Sequence, residues 1–286
     1  MQRILTCRAG DFSQPVNGAA LRDAISASEG RVIMAEVAAE APPLFAEVTN
    51  AELLCAFGAD LLLLKGVNCR APCLSGSDTR FGEDAIHQCK QLTGRLTGVS
   101  LEVLPSAAPA TPNSATAENI AVVSHADFFC LTGYDKPGVT AERMRQVTAE
   151  LRQCTDKMIL VAKFWAAGPG RPQEYAGYID AGAQGVVIPA PAACRGASEA
   201  RVGEIVTAVQ ACGGLAVTTL SSSQEGADAA TVRAIGLAGK RCGSDMHNFG
   251  DAGVAGMADP EAVYALSMAI RGRRHTWVRM AASRVR

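Results

Sequence analysis

Residues Phe57–Lys65 read FGADLLLLK, and this short run sets a pattern that recurs along the chain. A glycine in this position suits the left-handed conformation that ends a helix. The apolar run after it is typical of a strand that is buried on both faces. The same junction recurs in Ala181–Gln184 (AGAQ) and Cys242–Asp245 (CGSD), with a weaker form in His125–Asp127 (HAD). The repeating unit is therefore a helix, a turn and a buried strand.

Eight strand-like runs follow one another along the chain, and helical segments separate them. The runs are continuously apolar rather than alternating, which indicates parallel strands covered on both faces. The strands are predicted at Arg31–Val37, Asp60–Lys65, Gly98–Leu104, Phe128–Thr132, Met158–Phe164, Gly185–Pro189, Leu215–Leu220 and Ser244–His247. The helices are predicted at Asn50–Phe57, Ala117–His125, Ala141–Gln153, Pro172–Ala181, Ala197–Ala211, Ala227–Lys240 and Pro260–Arg271.

This alternation predicts an α/β fold, a single (β/α)8 TIM barrel that spans residues 1–286. An N-terminal helical extension (1–30), with a helix at about Asn17–Ser28, is expected to close the bottom of the barrel. A basic tail (272–286) follows the last helix. The alternative is a doubly wound open sheet, but no Gly-x-Gly-x-x-Gly motif follows the first strand and no linker divides the chain. The barrel is the better interpretation.

Composition argues against several classes of function. The 286 residues are 48% hydrophobic and 19% charged, and their net charge is −1, so neither a nucleic acid nor a membrane surface is an expected partner. No segment reaches the roughly 18 continuous apolar residues that a membrane helix needs. The N-terminus lacks the apolar core of a signal peptide. We therefore expect a cytoplasmic protein.

The ten cysteines are scattered among apolar neighbours, as is typical of free thiols in a reducing compartment. One group, Cys69, Cys73, His87 and Cys89, contains the residue types that bind zinc. Its Cys-x3-Cys and His-x-Cys spacings do not match those of zinc fingers, so no metal is expected there. We expect His87 and His125 on the solvent side of helices.

TIM-barrel enzymes place their catalytic side chains at the C-terminal ends of the strands. Glu36 and Glu102 lie in otherwise apolar runs, where a carboxylate is costly unless it is paired or used. Lys163 ends the fifth run, and Asp245 and His247 share one face of the eighth. We expect Lys163 or His247 to move a proton, and Glu36 or Glu102 to orient substrate or to hold Mg²⁺ if the protein uses it. The alternative for Lys163 and the two glutamates is a structural Lys–Glu ion pair. The alternative for Asp245 and His247 is a pair of polar side chains that bind only the backbone.

The segment Gly243–Gly256 (GSDMHNFGDAGVAG) has the features of an anion site. Glycines let the backbone approach a ligand, and the unpaired N–H groups that open the next helix favour an anion, most often phosphate. This segment, the loop after the seventh strand and the end of the second strand together predict a phosphate or substrate site. The expected residues are Lys65, Asn68, Ser222, Ser223, Asn248, Gly250, Asp251 and Gly253. The alternative is a strand-to-helix turn that needs glycine for its backbone angles.

Four segments of the chain resemble known proteins. They are Ala27–Glu36 (ASEGRVIMAE), Ser223–Gly226 (SQEG), Gly243–His247 (GSDMH) with Gly250–Gly253 (GDAG), and Ala269–His275 (AIRGRRH). With them the chain resembles, over nearly its whole length, the bacterial group of phosphoenolpyruvate phosphonomutase-like proteins. The resemblance implies a barrel and a small phosphorylated or carboxylated substrate. It does not imply the mutase reaction, because the acidic Mg²⁺-binding pair of the phosphonomutases and the cysteine signature of the related lyases are absent here.

The sequence thus predicts a lyase or isomerase that acts on a small phosphorylated or carboxylated metabolite. Two alternatives stay open: a Schiff-base aldolase that uses Lys163, and a barrel that binds a metabolite without catalysis. The basic tail would suit a subunit contact in a homo-oligomer.

Overall fold

Eight parallel strands form a closed barrel in which each strand pairs with its neighbours in chain order. The computed structural model describes residues 3–12, 16–82, 84–164, 168–222 and 224–284. The strands are β1 (Val32–Ala38), β2 (Leu61–Lys65), β3 (Leu96–Glu102), β4 (Phe128–Gly133), β5 (Met158–Lys163), β6 (Gly185–Pro189), β7 (Leu215–Leu220) and β8 (Met246–Phe249). The barrel closes where β8 pairs with β1, with Val32 opposite Met246. The predicted (β/α)8 TIM barrel is confirmed.

A helix precedes the first strand, and the other helices follow the strands on the outside of the barrel. They are α1 (Gly18–Ser26), α2 (Asn50–Ala56), α3 (Ala85–Thr93), α4 (Ala117–Val122), α5 (Ala141–Arg152), α6 (Pro172–Asp180), α7 (Glu199–Ala211), α8 (Ala229–Arg241) and α9 (Pro260–Met280). Most begin at a polar residue whose side chain accepts a hydrogen bond from the first turn. In α2, for example, Thr49 and Glu52 form a reciprocal capping box.

The eighth strand starts two residues later than predicted, and side chains explain the difference. Ser244 Oγ accepts a hydrogen bond from the Thr218 N–H, and Asp245 Oδ2 accepts one from the Ala216 N–H at 2.8 Å. These two side chains bind the backbone of β7 just before β8 begins. Regular main-chain pairing starts only at Met246.

Two apolar clusters lie on the two faces of the sheet. The inner cluster fills the barrel with alternate strand residues such as Met34, Leu63 and Val217, and it also contains Leu21 and Ile25 of α1. The outer cluster joins the other strand face to the surrounding helices. Since α1 shares the inner cluster, this helix closes the bottom of the barrel, as expected from the sequence.

The C-terminal segment places two buried arginines in the bottom layer of the barrel, whereas most of the described tail, 272–284, is exposed or half-buried. The chain turns at Gly272, whose φ of 71° is in the left-handed region, and helical structure then continues to Met280. Arg271 and Arg279, both at most 6% exposed, pair with the buried carboxylate of Asp60. Both guanidinium groups therefore belong to the bottom layer of the barrel, whereas Arg273 and Arg274 between them are exposed.

Within the described residues, every helix is either too short or too polar to cross a membrane.

Candidate active site at the barrel mouth

The inner face of the barrel changes from apolar to polar at the C-terminal ends of the strands. Along each strand, alternate residues point to the barrel axis. The inward residues are apolar deeper in the barrel, as at Met34 and Leu63, and polar at the mouth. These inward polar residues are Glu36 on β1, Lys65 on β2, Ser100 and Glu102 on β3, Thr132 on β4, Thr219 on β7 and Asn248 on β8. The apolar cluster beneath them seals the barrel, so a ligand can approach only from the mouth.

An ion pair between a buried carboxylate and a half-buried lysine occupies the side of the mouth where the barrel closes. Lys65 Nζ lies 3.4 Å from Glu36 Oε2, and Asn248 Nδ2 donates a hydrogen bond of 2.8 Å to Glu36 Oε1. Burial is the largest single effect on Lys65 and disfavours its ammonium form, but the negative groups around it, Glu36 foremost, together outweigh burial and raise the pKa of Lys65 above its ordinary value. Lys65 is therefore a fixed cation whose position depends on Glu36.

A cavity of about 220 Å³ opens above this pair. It is lined by Ala38, Lys65, Gly66, Ser100, Glu102, Asn113, Thr132, Tyr134 and Asp251. Glu36 is absent from this lining but pairs with Lys65, which belongs to it. The cavity thus offers one half-buried cation, two carboxylates and several hydroxyl groups.

The rim of the cavity adds a second cation. Lys136 Nζ lies 2.5 Å from Glu102 Oε1, and about half of the Lys136 side chain is exposed. The two ammonium groups, of Lys65 and Lys136, lie 5.9 and 5.6 Å from the centre of the Tyr134 ring. Each is within the range of a cation–π contact. Tyr134 therefore forms an aromatic wall that both cations approach.

Two hydroxyl groups face the cavity side by side. Ser100 Oγ and Thr132 Oγ1 lie 2.8 Å apart and share one hydrogen bond. Below them, burial raises the pKa of the Cys130 thiol to about 12, so this sulfur stays protonated and unreactive at neutral pH. The hydroxyl pair keeps a free donor or acceptor for a ligand.

The glycine loop after β8, predicted to bind phosphate, contacts a carboxylate of the chain itself. The Gly250 N–H donates to the Leu220 carbonyl at 2.9 Å, and the Ala252 N–H donates to the Glu225 carboxylate. Glu225 is 2% exposed, and burial raises the pKa of its carboxyl group. An intramolecular carboxylate thus already uses the Ala252 amide of this loop.

The remaining predicted binding residues are dispersed. Asp251 lines the cavity, whereas the Asn68 side chain accepts a hydrogen bond from the Arg70 N–H. Ser222 is exposed, and Ser223 lies outside the described residues. Gly253 packs closely against the backbone that follows it, so that a Cβ there would lie 2.5 Å from the Asp259 nitrogen.

Lys163 does not reach the mouth, contrary to the expectation that it shares a cavity with Glu36 and Glu102. Its neighbours at alternate positions, Ile159 and Val161, belong to the outer cluster, so Lys163 also points away from the axis. Its Nζ donates to the backbone carbonyl groups of Tyr134 and Phe164 at 3.2 and 2.8 Å. We therefore assign it no contact with substrate.

His247 and Asp245 also point away from the axis. His247 is fully buried between β8 and α8, with Nε2 3.3 Å from the Gly30 carbonyl oxygen and Nδ1 3.2 Å from Thr218 Oγ1. Burial lowers the pKa of His247 to about 4, so the ring is neutral near pH 7. Asp245 precedes β8 at the opposite end of the barrel from the mouth. The expectation that these two side chains lie at the catalytic rim is wrong.

The two carboxylates predicted as Mg²⁺ ligands do not fit a metal centre. Glu36 and Glu102 each pair with a lysine ammonium group. In the part of the chain that the structure describes, neither belongs to a group of three His, Cys, Asp or Glu side chains whose ligand atoms lie within 4.8 Å of one another. We therefore derive no step through Mg²⁺ at this site.

Several residues of the mouth were not predicted from the sequence. Ser100 lies two residues before Glu102 and therefore shares its inward face, which the period of a strand could have indicated. Asn113 and Lys136 belong to loops, and no local pattern assigns a loop side chain to a cavity. Glu225 lies inside the quoted phrase Ser223–Gly226, but its contact with the loop after β8 is a tertiary one.

Comparisons with known proteins support the fold and leave the reaction open. Residues 5–286 match the family model described as "Domain of unknown function (DUF7916)". No curated protein matches the chain. A "putative lyase/mutase" from Burkholderia cenocepacia J2315 is 15% identical, with 93% of this chain and 91% of that chain covered and a TM-score of 0.54. The thiamine phosphate pyrophosphorylase from Pyrococcus furiosus is 15% identical, with coverages of 87% and 96% and a TM-score of 0.51. At such identities the likeness extends to the fold alone.

Proposed function

Because the chain belongs to the family described as Domain of unknown function (DUF7916), we propose its function from the geometry of the mouth. The protein is a TIM-barrel enzyme, a lyase or isomerase, that transfers a proton next to a carbonyl group of a small carboxylated or phosphorylated metabolite. The observation that carries this proposal is the Lys65 cation, which lines the cavity with about 12% of its side chain exposed and is held from beneath by Glu36.

Lys65 supplies the electrostatic part of the reaction. When a base removes a proton from the carbon next to a carbonyl group, the electron pair moves to the carbonyl oxygen and gives an enolate. A fixed ammonium group in the wall of the cavity stabilises that negative charge and needs no reorganisation during the reaction. The raised pKa of Lys65 keeps it protonated, which suits an oxyanion partner better than attack as a neutral amine.

Glu102 is the proposed proton carrier. Its carboxylate lines the cavity, and Lys136 holds it at the rim. The substrate proton moves to this carboxylate and returns to a neighbouring carbon in an isomerase, or to the leaving fragment in a lyase. The hydroxyl pair of Ser100 and Thr132 lies on the same wall and donates a hydrogen bond to a substrate oxygen.

The size and charge of the cavity limit the substrate. A volume of about 220 Å³ is below the range of drug-sized sites, so the ligand has few atoms beyond its reacting centre. Its anionic group is best placed near the two lysines, because the Ala252 amide of the predicted phosphate loop binds Glu225. The resemblance to phosphonomutase-like proteins is compatible with such a substrate. Lys163 has no place in this reaction, so we do not carry the Schiff-base alternative forward.

The test is proton exchange at carbon, which does not require the full reaction to be known. Small 2-oxo acids and phosphorylated carbonyl compounds are incubated with the enzyme in D₂O, and loss of the C–H signal is followed by NMR. The wild type is expected to exchange at least one of these compounds, whereas Lys65→Met and Glu102→Gln are expected to exchange it at least about 10²-fold more slowly. The controls are Lys157→Met at the bottom of the barrel and Glu118→Gln on the surface. Exchange that persists in both site variants would refute the roles given to these residues, and its absence from the wild type would favour a binding protein without catalysis.

A further inference from the structure

Two histidines and an aspartate meet outside the barrel, away from the mouth. The ring centres of His87 and His125 lie 4.2 Å apart, and His87 Nδ1 lies 3.1 Å from Asp84 Oδ2. One possible ligand atom from each of these three residues lies within 4.8 Å of the other two. Among the described residues, no other three His, Cys, Asp or Glu side chains meet this condition. None of the three residues lines the mouth cavity.

Local structure holds two of these side chains in place. Asp84 is the N-cap of α3, and its Oδ1 accepts hydrogen bonds of 2.9 Å from the N–H groups of Ile86 and His87. This capping leaves Oδ2 directed at the imidazole of His87. His125 lies in the segment between α4 and β4. The ion pair Lys90–Asp127 (2.7 Å) joins this segment to α3.

We propose that Asp84, His87 and His125 bind a divalent transition-metal ion of the zinc type, through two imidazole nitrogens and one carboxylate oxygen. Imidazole together with carboxylate suits zinc and its neighbours, whereas Mg²⁺ and Ca²⁺ prefer oxygen ligands alone. Three protein ligands leave a fourth position for water.

The separation of the ligand atoms agrees with coordination to one ion. Two ligands at the usual zinc distances and a tetrahedral angle lie about 3.3 Å apart. The Nδ1–Oδ2 separation is 3.1 Å, so neither atom needs to move far. In the metal-free protein this contact requires a proton on Nδ1 of His87, and the ion replaces that proton. Because His87 and His125 are at least partly exposed, the ion can reach them from solvent.

The bound ion would cross-link two segments of the chain and thereby stabilise the fold. It joins the start of α3 to the segment before β4, which are about 40 residues apart in sequence. An ion that binds only the folded chain raises the melting temperature with its concentration.

The experiment uses the full chain, first stripped with a chelator and then titrated with Zn²⁺ by calorimetry, with melting curves recorded in parallel. One ion per chain and a higher melting temperature are expected for the wild type. His87→Ala and His125→Ala are each expected to lower the affinity for Zn²⁺ by more than about 100-fold. Loss of a residue that only supports a metal ligand costs roughly 10–100-fold. Asp84→Asn keeps a residue equally favoured as an N-cap and removes only the carboxylate, so an intermediate loss is expected.

Two controls separate this site from the cysteines and from histidine in general. Cys73→Ser removes an exposed thiol from the cysteine group considered in the sequence, and His275→Ala removes a histidine outside the cluster. Both are expected to keep full affinity. The proposal is overturned if the wild type binds no Zn²⁺, if Cys73→Ser abolishes binding, or if His125→Ala binds as tightly as the wild type. His125 is exposed, so its substitution leaves the apolar core intact.

Discussion

The side-chain amide of Asn248 donates a hydrogen bond of 2.8 Å to Glu36 and thereby joins the last strand to the first on the inner face of the barrel. The same amide donates to Thr219 Oγ1 on β7 at 2.9 Å, so both of its N–H groups are used. The second oxygen of Glu36 faces Lys65. One buried amide therefore links β7 and β8 to β1 and holds Glu36, the partner of Lys65.

Replacement of Lys65 tests the electrostatic core of the proposed reaction. Lys65→Met keeps much of the side-chain volume but removes the charge that stabilises the enolate, so turnover is expected to fall about 10²–10³-fold, as on loss of an oxyanion-binding group. Lys65→Arg keeps the charge and is expected to retain more activity. Steady-state kinetics on the compound identified by proton exchange measures both, with Lys157→Met as the control. Equal activity of Lys65→Met and wild type would contradict the assignment.

Replacement of Asn248 tests the link between closure and site. Asn248→Ala removes two buried hydrogen bonds and leaves Glu36 held by Lys65 alone, so the free energy of unfolding is expected to fall by about 1–3 kcal/mol. Asn248→Asp is expected to be worse because it sets a second carboxylate beside Glu36. Urea unfolding measures both, and Gln153→Ala on the exposed surface is the control. If Asn248→Asp were more stable than Asn248→Ala, the side chain at residue 248 would not face an ionised Glu36.

The fold could be predicted from the sequence, but the direction of individual side chains could not. Apolar runs and glycine turns at a regular spacing are enough for eight strands. In a strand buried on both faces, however, apolar residues point both ways, and no alternation marks the inner face. Lys65 and Lys163 both end such runs, yet Leu61 and Leu63 share the inner face with Lys65, whereas Lys163 lies on the outer face. A shift of one residue exchanges the two faces, so the sequence could not show that Lys65 faces the mouth and that Lys163 does not.

The environment of His247 predicts a pH dependence of stability. Burial lowers its pKa to about 4 in the folded chain, whereas an unfolded histidine has a pKa of about 6.5. Between these values the unfolded state binds more protons, so the stabilisation is complete above pH 6.5 and is lost as the pH falls toward 4. The loss amounts to at most about 3 kcal/mol.

Urea unfolding at a series of pH values measures this effect. His247→Gln removes the titrating group, so the slope between pH 6.5 and 4 is expected to flatten even if the variant is less stable at pH 8. In the chelator-treated protein, His125→Gln removes an exposed imidazole and is the control. An unchanged slope in His247→Gln would contradict the assignment.

Asp60 is predicted to be essential for the bottom of the barrel. Its carboxylate pairs with the buried guanidinium groups of Arg271 and Arg279 and also accepts a hydrogen bond from the Ile33 N–H at 2.8 Å. Asp60→Asn leaves two buried cations without a counter-charge, so the free energy of unfolding is expected to fall by about 3–5 kcal/mol. Asp78→Asn, in an exposed pair, is the control for chemical denaturation. Equal losses in the two variants would show that residues 272–284 are held by other contacts.

The contact between Gly250 and Glu225 yields a prediction about coupling between the two loops at the mouth. A Cβ at residue 250 would lie 2.6 Å from Glu225 Oε1, so Gly250→Ala must displace this carboxylate from the Ala252 amide. Glu225→Ala removes the obstacle but also the hydrogen bond. The double variant is therefore expected to lose less free energy of unfolding than the two single variants lose in sum. The difference, the coupling energy, is expected to be about 0.5–3 kcal/mol, as is usual for residues in contact. Urea unfolding of the four proteins gives this coupling, and a value of zero would mean that the glycine loop does not depend on Glu225 and remains available to bind an anion from solution.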